Sequence, residues 1–351
     1  MQQRAAIARD LVLVGGGHAH VHVLKSFGMR PTPGVRVTLV AREVETPYSG
    51  MLPGYVAGHY SFEECHIDLG RLARFAGARL IRGEAIGLDR DRHSVRCRAH
   101  PPIRWDLLSI DIGSAPRVND VPGAAAYAIA VKPIALFAAR WEALLARAAE
   151  MPRLRLAVVG GGAGGVELAL SAQHRLAALC GDAVEVTLVT RDGLLPSHNR
   201  RVRRLFEQIF AERGIALLAD REIVRVERGS LICADAKPIA FDEALWVTEA
   251  GAAAWLAETG LPLTTGGFIA IDETLRSTAD PRIFAAGDVA TMITHPREKA
   301  GVYAVRQGPP LAANLRRALA GKRPQRAVWA IWAATVVQHR KGTPSEIGLT
   351  L

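Results

Sequence analysis

Residues 156–165 read Leu-Ala-Val-Val-Gly-Gly-Gly-Ala-Gly-Gly, so an apolar run leads directly into a cluster of glycines. Residues 11–20, Leu-Val-Leu-Val-Gly-Gly-Gly-His-Ala-His, show the same arrangement 145 residues earlier. After each copy come a helical stretch and a second apolar strand, Val35–Val40 in the first case and Val184–Val189 in the second. Strand, glycine turn, helix and parallel strand together form the βαβ unit of a dinucleotide-binding domain. Two copies predict two such domains.

The glycines of each turn have separate steric roles. In a GxGxxG motif the first glycine permits the tight turn, the second lets a diphosphate approach the backbone, and the third lets helix and strand pack closely. The helix that follows presents unpaired N–H groups and the positive end of its dipole to the phosphates. Gly160, Gly162 and Gly165 match the motif in full. Gly15 and Gly17 match in the first copy, where His20 replaces the third glycine, and we expect His18 and His20 to pack against the diphosphate.

Composition limits the alternatives. The formal net charge of +10 comes mostly from arginine, but no block of basic residues alternates with aromatic ones, which favours a solvated basic surface over nucleic-acid binding. The four cysteines form neither a CxxC nor a CxxxxC pair, so the sequence indicates neither a redox-active dithiol nor a zinc site. No apolar run approaches the roughly 20 residues of a membrane-spanning helix, and a cytoplasmic protein is the default expectation.

Histidines at positions 18 and 22 have the i,i+4 spacing of a helical metal site. No carboxylate or cysteine nearby completes a tetrahedral set, so we predict no metal.

Four further segments carry a resemblance to a known family: Thr46–Gly54, Asp106–Ser114, Ile283–Asp288 and Lys299–Gly308. With the two turns they resemble the two-dinucleotide-domain flavoproteins of the pyridine nucleotide–disulfide oxidoreductase superfamily, in particular its type II NADH dehydrogenase-like members. Within that superfamily the sequence looks like the flavoprotein module found fused to, or encoded beside, selenide, water dikinases.

The resemblance implies an α/β fold with two Rossmann-like (three-layer ββα) dinucleotide-binding domains, of which the NAD(P) domain is inserted in the FAD domain. We expect residues 1–117 and 251–322 to form a discontinuous FAD-binding domain and residues 118–250 to form the NAD(P)-binding domain. Residues 323–351 would be a short remnant of a C-terminal domain. Between the motifs, the pattern predicts helices over 133–150, 200–213 and 301–319, and a strand over 282–288.

The resemblance also assigns cofactor contacts, with FAD on the N-terminal unit and NAD(P)H on the second. The expected FAD contacts are Gly15, Gly17, His18, Ala19, His20, Arg42, Ser49, Gly50, Met51, Pro53, Ala85, Gly113, Ser114, Gly287, Asp288, Lys299 and Gln307. The expected NAD(P) contacts are Gly160, Gly162, Ala163, Gly165, Glu167, Arg191 and Gly251.

Two of these residues are candidates for a role in the chemistry. Glu167 matches an acidic residue that faces the nicotinamide, although a carboxylate near a helix N-terminus is also favoured by the helix dipole alone. Lys299, or the helix N-terminus after it, would stabilise negative charge on the reduced flavin, although Lys299 could equally be a plain surface lysine.

The strands that usually end in an acidic ribose ligand end differently here. Ala41-Arg42 follows the strand of the first unit and Thr190-Arg191 that of the second. A carboxylate there binds the adenosine ribose, whereas an arginine accommodates a 2′-phosphate, so the pattern leans slightly toward NADP over NAD or toward no strong preference.

The sequence leaves the electron acceptor open. Without a CxxxxC pair we expect direct transfer from flavin to a quinone, oxygen or another small electrophile. Trp329 and Trp332 could touch a membrane interface at its inner face or pack onto the FAD domain. A flavin-binding accessory protein that serves a selenide, water dikinase partner, and a degenerate paralogue with weak FAD binding, are the alternative interpretations.

Overall fold

The computed structural model describes residues 6–234, 237–248 and 250–327. The first part of the chain contributes four strands to a five-stranded parallel sheet flanked by helices, and it also forms a three-stranded antiparallel sheet and a short two-stranded sheet. Its elements are β1 (Arg9–Val14), α1 (His18–Met29), β2 (Val35–Ala41), β3 (Glu45–Pro47), α2 (Leu52–Ala57), β4 (His66–Asp68), α3 (Leu69–Phe75), β5 (Arg79–Arg82), β6 (Ala85–Asp89), β7 (Ser94–Cys97), β8 (His100–Arg104), β9 (Leu107–Ile110) and β10 (Ala115–Pro116).

The middle of the chain builds a second sheet system of the same kind. Its elements are α4 (Ala124–Tyr127), β11 (Ile129–Ala130), α5 (Ile134–Ala148), β12 (Leu154–Val159), α6 (Ala163–Cys180), β13 (Val184–Val189), α7 (Arg200–Glu212), β14 (Ala216–Leu218), β15 (Ile223–Glu227), β16 (Ser230–Cys233), β17 (Ile239–Ala240) and β18 (Glu243–Trp246). The chain then returns to the first system with β19 (Ala250–Gly251), β20 (Ile269–Ile271), β21 (Ile283–Ala285), β22 (Ala290–Met292) and α8 (Gly301–Leu319).

Sheet order shows how the two systems relate. The first parallel sheet has the order β21-β9-β1-β2-β5, so its edge strand comes from the far end of the chain. The second has the order β11-β18-β12-β13-β14 and lies wholly between β10 and β19. Those two short strands pair antiparallel where the chain leaves and re-enters the first system. The predicted fold class, two Rossmann-like units with the second inserted in the first, is confirmed.

The sequence pattern explains why the central strands form. Leu11–Val14 in β1 are all buried, as a parallel strand covered by helices on both faces requires. The register pairs Val14 with Val40 in the first sheet and Val159 with Val189 in the second. Both glycine turns therefore begin at the carboxyl edge of a parallel sheet, where α/β folds place their ligands.

One predicted element is shorter than expected. The strand expected over 282–288 covers only Ile283–Ala285, and Gly287–Val289 form a 3₁₀ turn. Gly287 has a φ of +70°, a conformation that a strand does not contain. Asp288 lies within this turn, where its side chain contacts Ser114 and Lys132.

Within the described ranges, no helix combines the length and the apolar character that crossing a bilayer needs. The expectations for residues 328–351, including Trp329 and Trp332, lie outside the described residues.

Candidate functional site

The first glycine turn connects β1 to α1 and lies directly against the end of β9. Gly15 has a φ of +96°, and a Cβ atom there would lie 2.2 Å from the carbonyl oxygen of Asp111. A Cβ atom at Gly17 would lie 2.2 Å from Asp111 Oδ1. A side chain at either position would clash with Asp111, so only glycine fits there.

Asp111 was not among the predicted site residues. Its side chain is buried, and its Oδ2 accepts a hydrogen bond from the backbone N–H of His20 at 3.0 Å. Burial raises the pKa of this carboxyl to about 7, and the charge of Asp288 adds to the increase, whereas amide hydrogen bonds from His20 and Ala19 oppose it. The backbone amides at the start of α1 thus donate hydrogen bonds to the protein's own Asp111 carboxylate.

His20 does not face the diphosphate position as expected. Its ring is fully buried beneath the turn, where Nδ1 lies 2.7 Å from the carbonyl oxygen of Gly15 and Nε2 lies 2.8 Å from Ser109 Oγ. Because a carbonyl only accepts, Nδ1 carries the proton, and the neutral ring accepts the Ser109 hydroxyl proton at Nε2. Burial lowers the pKa of His20 to about 4. The His20 ring is therefore turned away from the position where we expected it to pack against the diphosphate, and it replaces the third glycine by filling the space under the turn.

His18 is the first residue of α1 and lies at the N-terminus of that helix. Its Nε2 is buried without a hydrogen-bond partner among the described residues, and its ring lies 4.8 Å from that of Tyr48. A buried ring nitrogen without a partner is costly unless a ligand supplies one. This orphaned nitrogen at a helix N-terminus, beside glycines that exclude side chains, fits the diphosphate of FAD.

The loop predicted to contact the flavin wraps over this turn. Ser49–Met51 form a 3₁₀ turn, and Pro53 lies in the first turn of α2. A Cβ atom at Gly301, the first residue of α8, would lie 2.6 Å from Ser49 Oγ, so the loop lies against the start of α8. The structure therefore brings Ser49, Gly50 and Met51 together with His18 and α8.

Asp288 forms a polar contact that crosses between the two sheet systems. Its Oδ2 accepts hydrogen bonds from Ser114 Oγ at 2.9 Å and from Lys132 Nζ at 3.0 Å. Ser114 follows β9, and Lys132 precedes α5 in the inserted unit. Nearby, the Gly287 N–H donates to Gln307 Oε1 at 2.6 Å. The structure thus brings together Ser114, Asp288 and Gln307, three of the expected FAD contacts, and adds Lys132, which sequence reasoning missed.

Lys299 lies beside this cluster, but its ammonium group contacts other residues. Nζ donates to the carbonyl oxygen of Ala290 at 2.5 Å and to Thr291 Oγ1 at 2.8 Å, and lies 4.0 Å from the centre of the Phe268 ring. Burial lowers the pKa of Lys299 to about 8. These contacts point the charge at β22. The helix N-terminus of α8, which has no acidic residue in its first turn, is the better source of positive potential.

The second glycine turn connects β12 to α6 and has a different environment. A Cβ atom at Gly165 would lie 1.9 Å from the carbonyl oxygen of Gly160, whereas one at Gly162 would meet nothing within 4 Å. Gly162 is exposed and caps α6 without a side-chain hydrogen bond. Across the turn, Thr248 Oγ1 is buried without a hydrogen-bond partner among the described residues. An open helix N-terminus opposite an orphaned hydroxyl fits a bound dinucleotide.

The remaining predicted contacts lie at the edges of the two turns. Glu167 is half-buried in the first turns of α6, and Gly251 lies in β19 where the chain re-enters the first unit. Arg191 is exposed and binds Asp192 at 2.9 Å, which lowers the pKa of that carboxyl. Arg42 is exposed and lies 3.6 Å from Glu43. The other predicted positions are Ala19 and Ala163 in the first turns of α1 and α6, Gly113 after β9, and Ala85 at the start of β6 in the three-stranded antiparallel sheet.

Comparison with known proteins identifies the family. The profile of the family described as pyridine nucleotide-disulphide oxidoreductase matches residues 9–317, most of the chain. This chain belongs to the pyridine nucleotide-disulphide oxidoreductases. It is therefore an oxidoreductase of the kind that uses FAD and NAD(P)H.

The names of similar proteins describe several different activities. The NADH dehydrogenase-like protein YutJ of Bacillus subtilis is 24% identical over 293 residues, which cover 81% of this chain and 77% of that protein. The probable ferredoxin reductase CtmF of Castellaniella defragrans is 27% identical over 291 residues, which cover 80% and 67%. Among solved structures, the sulfide:quinone oxidoreductase of Aquifex aeolicus superposes with a TM-score of 0.76 at 18% identity, covering 90% of this chain and 78% of that one.

Replacing Lys132 tests its contact with Asp288. We expect Lys132→Gln to weaken FAD binding about threefold to fivefold, because a partly exposed ion pair contributes up to about 1 kcal/mol. Titration of the flavin-free protein with FAD, followed by quenching of flavin fluorescence, measures the effect. Lys237→Gln, a change at an exposed lysine of the inserted unit, should leave the affinity unchanged. Equal affinities for the two variants would contradict a role for Lys132 at the cofactor.

Proposed function

We propose that this oxidoreductase accepts hydride from NAD(P)H on the inserted unit and passes electrons from FAD directly to a quinone or another small acceptor, without a redox-active disulfide. The observation that carries the proposal is that each glycine turn has a helix N-terminus and, at or opposite it, a buried polar atom without a hydrogen-bond partner among the described residues. His18 Nε2 marks the first and Thr248 Oγ1 the second. Bound FAD supplies the redox chemistry, and the protein supplies binding, orientation and electrostatics.

Different residues around the first glycine turn contribute to cofactor binding, orientation and electrostatics. His18 offers a ring N–H to a phosphate oxygen, and Asp288 accepts hydroxyl hydrogens while Ser114 and Lys132 fix its orientation. The N-terminus of α8 points its positive dipole end toward the 46–54 loop, which contacts it through Ser49. Negative charge that develops beside that loop during reduction is stabilised by this dipole.

The cysteines support transfer without a dithiol. None of the four cysteines, Cys65, Cys97, Cys180 and Cys233, forms a disulfide. Burial raises the pKa of Cys65, which lies 3.9 Å from the carbonyl oxygen of Met51, and it also raises that of Cys97. Both remain thiols at neutral pH, the form that does not attack a disulfide.

Acceptor class is suggested by relatives. An Arabidopsis thaliana protein described as a mitochondrial internal alternative NAD(P)H-ubiquinone oxidoreductase is 24% identical over 312 residues, and the Aquifex aeolicus enzyme is described as a sulfide:quinone oxidoreductase. The first match covers 79% of this chain but 60% of that protein. Ferredoxin reductases among the relatives make an iron–sulfur protein the competing acceptor class.

Anaerobic mixing with NADH and NADPH tests the proposal. We expect the yellow, FAD-loaded protein to bleach within seconds and to be reoxidised by a short-chain quinone. Protein that holds FAD but stays oxidised with both nucleotides would show a flavin-binding accessory protein. Protein that binds no FAD would show a degenerate paralogue.

We also propose a preference for NADPH, set by Arg191. The sequence Thr190-Arg191 has no acidic residue before the arginine. A solved structure of an engineered water-forming oxidase bound to NADPH, with a TM-score of 0.76 and 22% identity over 90% of this chain and 70% of that one, is described as carrying adjacent aspartate-to-alanine and alanine-to-arginine changes. The pair between Arg191 and Asp192 is more than half exposed on both sides, so exchanging it for a phosphate costs little.

Replacing Arg191 should affect the reaction with NADPH and the reaction with NADH differently. We expect Arg191→Ala to lower kcat/KM for NADPH about tenfold, since a charged hydrogen bond contributes roughly 1.5–3 kcal/mol, and to leave the value for NADH nearly unchanged. Steady-state rates with both nucleotides measure this split. Arg228→Ala, at an exposed arginine in the turn between β15 and β16, is the charge-matched control. Equal losses for NADH and NADPH would contradict a 2′-phosphate contact.

The tie to a selenide, water dikinase partner rests on the sequence motifs alone, and contact with a membrane depends on tryptophans outside the described residues. Copurification of the full chain with a dikinase would test the first, and sedimentation with lipid vesicles the second.

A further inference from the structure

A cavity lies between the first unit and the inserted unit, away from both glycine turns. Its volume is about 760 Å³, within the range of sites that bind small molecules. The first unit contributes the end of α2 and the loop over residues 58–64. The inserted unit contributes one side of α5 and Arg175 of α6. A molecule bound there would contact both units at once.

Three aromatic rings line the side of the cavity that belongs to the first unit: Tyr55, Tyr60 and Phe62. The Phe62 ring stacks on His66, with ring centres 3.7 Å apart, and meets Tyr55 edge-on at 6.3 Å. Tyr60 is 43% exposed, and its ring packs over Gly54, where a Cβ atom would lie 2.5 Å from it. These rings offer apolar faces and edges to a flat ligand.

The opposite wall is built from small and apolar side chains of α5. Ala135, Ala138, Ala139 and Leu145 line it. Alanines leave the space between α5 and the loop over residues 58–64 open, and they offer no hydrogen bonds to a ligand. Together with the aromatic rings, this wall favours a ligand with an aromatic body over a sugar or another molecule that is polar throughout.

The two carboxylates that line the cavity already have donors from the protein. Glu142 Oε1 accepts the Tyr55 hydroxyl at 2.7 Å, and Glu64 Oε2 accepts the Ser61 N–H at 2.8 Å. Burial and the hydrogen bond to Glu142 raise the pKa of Tyr55, so the phenol keeps its proton and keeps donating. Neither carboxylate therefore depends on a ligand for a hydrogen bond.

The cation that lines the cavity has no such partner. The guanidinium of Arg175 lies over Gly58 at the end of α2, where a Cβ atom would lie 2.8 Å from Nη1. Arg175 is half-buried, and it makes no hydrogen bond or ion pair with any residue that the structure describes. His59 and Arg213 lie at the same end, since their charges and that of Arg175 add to the effect of burial in lowering the pKa of His174. A planar guanidinium in a positive environment matches a carboxylate, which can accept two parallel hydrogen bonds from it.

We propose that this cavity binds an aromatic carboxylate, with its rings between the loop over residues 58–64 and α5 and its carboxylate paired with Arg175. A polyanion such as a nucleoside diphosphate fits less well, because Glu64 and Glu142 line the same cavity and repel additional negative charge. The site shares no residue with either glycine turn, so it stands apart from the proposed function. Bound ligand would hold α2 against α5 and α6.

Calorimetric titration of the full chain with three matched probes tests the ligand class. We expect 2-naphthoate to bind with a Kd of about 1 mM or lower, and its neutral isostere 2-naphthamide to bind about tenfold more weakly. An amide that binds as tightly as the acid, or a 2-naphthylmethylammonium cation that binds more tightly, would overturn the proposal.

Repeating the titration with saturating FAD and NADP⁺ locates the site. We expect the affinity for 2-naphthoate to stay the same, because the cavity lies outside both glycine turns. Competition with either nucleotide would place the acid in a glycine turn and overturn the proposal. A chain that binds no FAD contradicts the proposed function, but it leaves the result with 2-naphthoate valid.

Replacing Arg175 tests the charged contact. Arg175→Gln should lower the affinity for 2-naphthoate about tenfold, to that of the amide, and leave the affinity for the amide unchanged. Arg204→Gln, at an exposed arginine of α7, is the charge-matched control and should keep the preference for the acid. A preference that persists in Arg175→Gln would overturn the proposal.

Filling the cavity tests its location without changing any charge. Ala139 is exposed on α5 and lines the cavity, so Ala139→Trp should abolish binding of both the acid and the amide. Leu136 is 66% exposed on the same helix and does not line the cavity, so Leu136→Trp should bind as the wild type does. Circular dichroism confirms that both variants are folded. Binding of 2-naphthoate that survives in folded Ala139→Trp would overturn the proposal.

Discussion

Gly165→Ala is expected to destabilise the inserted unit severely, while Gly162→Ala three residues earlier leaves it folded. A Cβ atom at Gly165 would lie 1.9 Å from the carbonyl oxygen of Gly160, and a backbone atom in a tight turn cannot move away as a flexible side chain can. Overpacking of a core usually costs about 1–3 kcal/mol, and a backbone clash this close should reach at least about 3 kcal/mol. Thermal unfolding followed by circular dichroism measures the loss.

Gly162→Ala is the matched control because a Cβ atom there meets nothing within 4 Å. Gly162 has φ −72° and ψ 175°, which alanine adopts readily, so the free energy of unfolding should change by less than about 1 kcal/mol. The methyl group would instead stand where the diphosphate approaches, and we expect NAD(P)H to bind at least about tenfold more weakly. Similar melting curves for the two variants would contradict this division between a packing glycine and a binding glycine.

The second turn could be predicted from sequence in detail because each glycine meets a local constraint. Gly165 lies against the carbonyl oxygen of Gly160 within one βαβ unit, and only Gly160 also lies against the chain just after β18. The strand β18 itself was missed, since four residues, Glu243–Trp246, give too short a pattern to detect. Thr248 follows that strand, and its position opposite the turn depends on sheet order.

The first turn was predicted only in part because its partners come from far along the chain. His20 lies 89 residues from Ser109 and 91 residues from Asp111, and nothing local relates them. The signal was present as Ser109 and Asp111 alternating with apolar residues in a buried strand, where polar side chains are informative. Lys132 reaches Asp288 across 156 residues, through a chain crossing that no periodicity reveals.

Lys299 shows a different limit. Sequence placed it correctly before α8, but the direction of a long side chain depends on its neighbours. Phe268 and the carbonyl oxygen of Ala290 draw its ammonium toward β22. The position of Lys299 along the chain was predictable from sequence, whereas the contacts of its ammonium group were not.

His20→Gly restores the third glycine of the first motif, and we nevertheless expect it to destabilise the protein by about 4 kcal/mol. Removing a buried ring costs about 3 kcal/mol or more, and glycine in a helix costs about 1 kcal/mol relative to alanine. Ser109 and the Gly15 carbonyl would also lose their partner. Urea unfolding gives the difference, and His22→Gly, on the same helix but only partly buried, shows the glycine cost with a smaller loss of side-chain packing.

The pH dependence of the stability difference between wild type and His20→Gly identifies the buried neutral ring of His20 as the cause of the destabilisation. The pKa of His20 is lowered to about 4 in the folded protein, against about 6.5 in an unfolded chain. Between these values the unfolded state binds a proton that the folded state does not, so the stability that depends on neutral His20 is fully present above pH 6.5 and is lost as the pH falls toward 4. The gap between wild type and His20→Gly should therefore be largest above pH 6.5 and narrow in acid.

Asp111 acts in the opposite direction over the same range, so the comparison must be made between variants and not on the wild type alone. Its pKa is raised to about 7, so the folded state holds a proton that the unfolded state releases until the pH falls to about 4. Asp111→Asn should consequently lose stability more steeply than the wild type as the pH falls from 6.5 to 4.5. His20→Gly as stable as the wild type at pH 7.5, or a gap that does not change with pH, would show that the ring is not what holds the first turn in place.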